Sequence, residues 1–151
     1  GVMGNALFYH LTRSPAENLL SVLIGKSLQA GWRVELRGTD PDRMDWLDRQ
    51  LWSGDGFLPH GLAGGPYDDR QPVLLTTPGQ APTNDPACLM ALDGVEVQAE
   101  EIQQLQRTCI IFDGGNGPAL DRARDQWRTL TGAGVTAEYW SEESGRWERK
   151  R

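Results

Sequence analysis

The chain has 151 residues, a moderate apolar fraction and a formal net charge of −6. That is length enough for one domain with a real core, and too acidic a balance for a stand-alone DNA binder, because nucleic-acid affinity rests on clustered Lys and Arg. No apolar run approaches the roughly 18 residues of a membrane span, and two cysteines do not build a disulfide framework, so a reducing, cytoplasmic setting is expected.

Gly1 and Val2 precede Met3 and are expected to be an expression remnant; the residues that follow lack a secretory pattern. ALFYHL at 6–11 is a short apolar and aromatic run and predicts a first strand. SPAE at 14–17 then reads as a helix start, with Ser14 as cap, Pro15 in the first helical position and Glu17 closing a capping box. Leu19, Leu20, Val22, Leu23, Ile24 and Leu28 give that helix an apolar body, ending near Gly31. WRVELRG at 32–38 alternates and predicts a second strand. A second helix begins with Asp40 as cap and Pro41 behind it, and places Met44, Leu47 and Leu51 on one face.

A glycine-rich stretch carrying Trp52, Phe57, Pro59, His60 and Leu62 follows. PVLLTT at 72–77 predicts a buried strand, PGQAPTNDPA a loop, CLMALDG at 88–94 another strand and QAEEIQQLQ at 98–106 a short helix. TCIIF at 108–112 is the most apolar strand. After GGNGP, residues 119–134 read as a helix stopped by glycine, and VTAEYW at 135–140 as a last strand. Residues 145–151 are expected to form a disordered basic tail. Alternating β and α with fully apolar strands predicts a single α/β domain: a mostly parallel central sheet with helices on both faces. Its predicted core includes Phe8, Val34, Leu74, Leu75, Ile110 and Ile111.

Charge is unevenly spread. Residues 61–106 contain Arg70 as their one strong base, whereas Arg107, Arg122, Arg124, Arg128, Arg146, Arg149, Lys150 and Arg151 crowd the last third. A local basic face in an acidic chain suits an acidic protein segment better than a duplex.

Motifs for chemistry fail on spacing. GKS at 25–27 has Leu20 where a phosphate loop needs glycine. GGNGP at 114–118 lies between a strand and a helix, where amide N–H groups can hold phosphate. It lacks the GxGxxG spacing and an acidic ribose partner, so a tight turn with Pro118 opening the helix is the favoured reading. A small nucleotide-binding domain or enzyme using that turn is the alternative. His10 and His60 are far apart, and Cys88 and Cys109 have no C-x-x-C partner, so no metal site is expected. Both cysteines fall in predicted buried strands, which suits inert core thiols better than a Cys–His nucleophile. No catalytic residues and no cofactor are assigned.

The last helix offers the one clear constellation. Leu120, Ala123, Trp127 and Leu130 form a stripe, with Arg124 and Arg128 four apart beside Trp127. This is either a core tryptophan with a solvated arginine edge, or an aromatic floor flanked by two guanidinium groups. The second would take a short acidic peptide with an apolar or aromatic end, because arginine binds carboxylates in bidentate fashion and Trp and Arg are common interface anchors.

NALFYHL, GWRV, LDRQLWSGDGFLPHGLAG and PVLLTT, in that order, resemble the chi subunit of bacterial DNA polymerase III holoenzyme. The densest match is Leu47, Asp48, Leu51, Trp52, Phe57, Pro59, His60, Leu62, Ala63 and Gly64. The resemblance implies a Rossmann-like fold that uses no nucleotide. It also implies a non-catalytic accessory role in replication, tying the clamp loader to the single-stranded-DNA-binding protein by gripping that protein's acidic C-terminal tail, which ends in Pro-Phe. DNA would be met only indirectly, and a small psi-like subunit is a second implied partner. The implied tail-binding surface combines Trp52 with Arg124, Trp127 and Arg128. One departure stands out: a lysine found in relatives one turn before the first arginine is Leu120 here, with Arg122 or Arg128 as substitutes in charge. In the glycine-rich stretch, Trp52 is expected to be an exposed anchor, Phe57 and Leu62 to pin the loop on the body, Pro59 to stiffen it, and His60 to orient backbone groups by hydrogen bonds.

Overall fold

The computed structural model describes residues 5–53 and 60–151. Among these residues, eight strands form one sheet. β1 (Asn5–Leu11), β2 (Val34–Arg37), β3 (Gly61–Leu62), β4 (Val73–Thr76), β5 (Cys88–Leu92), β6 (Arg107–Asp113), β7 (Thr136–Ser141) and β8 (Glu148–Arg149) lie in the spatial order β3-β4-β2-β5-β6-β1-β7-β8. All pairs are parallel except β7–β8. Helices α1 (Ala16–Gln29), α2 (Pro41–Ser53), α3 (Ala99–Gln104) and α4 (Gly117–Gly132) connect them.

The period of two along each strand divides the core into two layers. Leu7, Tyr9, Val34, Leu36, Met90 and Ile111 point to one face, where α1 buries Leu19, Leu20 and Ile24 and α2 buries Met44, Leu47 and Leu51. Ala6, Phe8, Leu89, Ala91, Ile110 and Phe112 point to the other, where α3 contributes Ile102 and α4 contributes Ala123 and Leu130. All six predicted core residues, Leu74 and Leu75 among them, are buried. The predicted glycine stops hold: Gly31 and Gly134 follow α1 and α4 with φ of 83° and 93°, a left-handed turn that favours glycine.

Two expectations are corrected. Ser14 does not cap α1. The residue before the helix is Pro15, with no side-chain cap, and Ser14 turns to Glu142 instead, donating from both its amide and its hydroxyl. The residues after Trp147 do not form a disordered tail. β8 pairs antiparallel with β7, matching Trp140 with Arg149 and Ser141 with Glu148. The ladder continues with Lys150 N–H donating to the Tyr139 carbonyl at 2.6 Å.

Candidate functional site

α4 is capped by Asn116, whose Oδ1 accepts from the Ala119 amide at 3.0 Å. The helix sits on β6 and β7 and turns its apolar stripe to the sheet, as its sequence pattern predicts. Arg124, Trp127, Arg128 and Thr131 then fall at i, i+3, i+4 and i+7, along the edge of α4 that borders β7. There they line an open groove of about 710 Å³ with Tyr139 of β7 and with Lys150 and Arg151 just beyond β8.

The floor of this groove is aromatic and anchored. Trp127 is half-buried, with its ring edge-to-face on Phe8 at 5.2 Å and on Tyr139 at 6.0 Å. Tyr139 Oη lies 2.9 Å from His10 Nδ1, and the His10 ring stacks on Phe112. Burial pushes the Tyr139 phenol up, with Arg124 pulling the other way, so it stays a neutral hydroxyl. Trp127 is therefore a ring packed on the core that also lines the groove.

The walls are cationic. Arg124 is exposed. Arg128 is 77% exposed and meets Asp125 at 3.8 Å, a pair too solvated to tie it down. The guanidinium of Arg151 lies 5.8 Å from the centre of the Trp127 ring. Lys150 and Arg151 are counted in the basic last third but not among the expected site residues, and Tyr139 is not singled out. The signal for Tyr139 was available: in VTAEYW, alternation puts residues 137 and 139 on one face, and Phe8 is the register partner of Tyr139.

Of the expected site residues, Arg124, Trp127 and Arg128 line this groove; Trp52 belongs to a different helix, α2. Trp52 falls in the last turn of α2, whose buried residues belong to the opposite layer and which neighbours β3 and β4. The side chain of Trp52, together with Phe57 and Pro59, lies outside the described residues. His60 is buried, with Nε2 2.9 Å from the Asp48 carbonyl and 3.2 Å from Asp48 Oδ1, tying the start of β3 to α2. Leu62 lies on β3, the sheet's edge strand, and is 37% exposed.

Where an open α/β sheet would take a nucleotide, the amides that could hold its phosphates are bonded to the chain's own groups. The crevice beyond the strand C-termini is the usual ligand position, and here a hollow of about 570 Å³ lies there between β1, β5, β6 and α2. Glu142 Oε1 accepts from the amides of Thr12, Arg13 and Ser14 in the β1–α1 turn at 3.0, 2.7 and 2.7 Å, the position an anion would occupy. Burial opposes ionisation of this carboxyl, but the hydrogen bonds outweigh it and hold Glu142 below the usual range. Arg43 in the same hollow pairs with Asp93 at 2.8 Å. In the turn before α4, Gly114 N–H donates to the Leu11 carbonyl and Gly115 N–H to Asp113 Oδ1. A Cβ on Gly114 would run into the His10 ring, so close packing explains that glycine without a phosphate.

Among the described residues, no group of three or more His, Cys, Asp or Glu could hold a metal. No described helix is long and apolar enough to cross a membrane. Comparison with curated proteins gives no match. The sequence model of the family described as "DNA polymerase III chi subunit, HolC" matches residues 3–138, most of the chain. The chain belongs to the DNA polymerase III chi subunit family, a family of polymerase accessory subunits in DNA replication.

Proposed function

We propose that the chain is a non-catalytic adaptor that binds the acidic C-terminal tail of the single-stranded-DNA-binding protein and links it to the clamp loader. The observation that carries this is the groove beside α4, where a rigid aromatic floor of Trp127 and Tyr139 is rimmed by Arg124 and Arg128. Guanidinium groups at the rim suit acidic side chains and a terminal carboxylate, and the rings suit a Pro-Phe end. Family membership supports the replication setting. Self-occupation of the β1–α1 turn and the turn before α4 speaks against the alternative reading as a nucleotide-binding enzyme.

Calorimetric titration with an acidic peptide ending in Pro-Phe, beside melting curves with ATP and NAD, tests the proposal. The adaptor predicts saturable peptide binding and no nucleotide-dependent rise in melting temperature. A rise with ATP or NAD near working concentration, with no peptide binding, would reverse the assignment.

A further inference from the structure

Residues 139–151 lie beyond the stretch matched by the family, yet three of them, Tyr139, Lys150 and Arg151, line the groove. Pairing of β8 on β7 carries the next two residues alongside Tyr139: Lys150 N–H donates to the Tyr139 carbonyl at 2.6 Å, and Tyr139 N–H to the Arg151 carbonyl at 3.4 Å. Main-chain bonds therefore set the position, leaving both side chains exposed at the groove. The Arg151 guanidinium rests over the Trp127 ring, an attraction of cation and aromatic face that holds it at the floor. Lys150 Nζ is 3.8 Å from Glu148 at a solvated site, a weak hold that leaves its charge available.

The other candidate sources of charge point elsewhere. Leu120, one turn before Arg124, packs against the apolar layer beneath α4. Arg122 lines a separate hollow with Gly94, Glu96 and Gln126 on the α3 side.

We propose that Lys150 and Arg151, held just beyond β8, are tail-binding residues that complete the cationic rim begun by Arg124 and Arg128. The inference rests on the adaptor reading of the groove. Two of the four rim cations then come from just beyond β8, outside the family-matched span, and they hold acidic side chains of the bound peptide.

The test is calorimetric titration of the full chain with the acidic Pro-Phe peptide, in parallel for wild type, K150A/R151A, R151K and R124A. Because the strand is held by main-chain bonds, melting of K150A/R151A should match wild type; K150Q/R151Q, which keeps longer polar side chains, serves if it does not. Removing both charges should weaken binding roughly 3- to 30-fold, the range for two exposed charge contacts, and flatten its salt dependence. R151K keeps the charge but loses the planar fork and its stacking on Trp127, so its affinity should fall between those of wild type and the double variant. Wild-type affinity in the double variant, with R124A still impaired, would overturn the inference and leave the groove reading standing. Tighter binding by the double variant would also overturn it, making the strand a lid over the floor. Absence of peptide binding by wild type would remove the groove reading and this inference together.

Discussion

Glu142, directly after β7, holds the amide of Ser14 at 2.7 Å and its hydroxyl at 3.0 Å, closing the turn between β1 and α1 from across the molecule. The Thr12 and Arg13 amides donate to the same oxygen. A buried carboxylate thus satisfies three amides of the turn where an αβ fold often binds an anion. Glu142→Gln keeps the shape but loses the charge and reverses one hydrogen-bonding atom. It should destabilise the fold by about 1.5–3 kcal/mol, the range for hydrogen bonds to a charged group.

The same pair predicts a pH dependence. The Glu142 carboxyl ionises more readily in the folded chain than in the unfolded one. Its contribution is therefore fully present above the unfolded value, roughly 4.3, and is lost as pH falls through the lower folded value. The stability gap between wild type and Glu142→Gln should be constant near neutrality and shrink in increasingly acid buffers. Denaturant melts at several pH values measure this, and a gap that widens on acidification would contradict the assignment.

A second buried charge carries a different risk. Glu35 is buried on β2 and accepts from Thr76 Oγ1 at 2.6 Å and from Arg37 at 2.9 and 3.0 Å; Arg37 also reaches Glu101 at 2.8 Å. Burial alone would lower the basicity of Arg37, but hydrogen bonds to Glu101 and Glu35 raise it above its ordinary value, so it remains charged. Arg37→Ala should cost about 3–5 kcal/mol because Glu35 is left buried without its counter-charge. Removing both charges in E35L/R37M should recover much of that loss. Chemical denaturation of the three proteins checks the order of stabilities.

How far the sequence could be read depends on which physical rule each feature obeys. Strands such as PVLL and TCIIF are apolar throughout because both sheet faces are covered, and the stripe of α4 has one helical period; local rules suffice for both. The face of the sheet that each helix takes is a matter of crossover connection, which no local pattern encodes. The layers taken by α2 and α4 are therefore visible only in the fold, and the grouping of Trp52 with Arg124 rests on the family resemblance rather than on a local pattern. The strand at 148–149 was missed because WERKR is charged and short, and its order comes from pairing with β7. Ser14 looked like a cap because its partner, Glu142, is 128 residues away.

Salt should act strongly on peptide binding. Arg124 and Arg128 are exposed, so their attraction for carboxylates acts through solvent. The screening distance falls from about 8 Å at physiological ionic strength to about 3 Å at 1 M. Affinity for the acidic peptide should drop steadily over that range, while the apolar contact with Trp127 persists. Titrations at several salt concentrations test this. Affinity that does not vary would assign the whole grip to the aromatic floor.

Three substitutions separate binding from folding. Arg124→Ala removes an exposed rim charge and should weaken tail binding by about 1–3 kcal/mol, as interface anchors do, without changing the melting temperature. Trp52→Ala alters the end of α2 on the other side of the sheet from α4, so tail binding should stay within roughly 2-fold of wild type, less than the tenfold that 1.4 kcal/mol would give. Cys109→Ser does the reverse of the first. Cys109 is buried in β6 beside Cys88, and the hydrogen bond between the two thiols, with burial, pushes its own thiol well up, so it is a neutral core group. A hydroxyl there should cost about 1–3 kcal/mol of stability, with the folded fraction binding peptide normally. Titration and melting of the same three variants give six outcomes. The decisive one is Trp52→Ala: strong loss of binding at unchanged stability would mean that the tail runs around the edge of the sheet to both faces, and that the α4 groove is only part of its path.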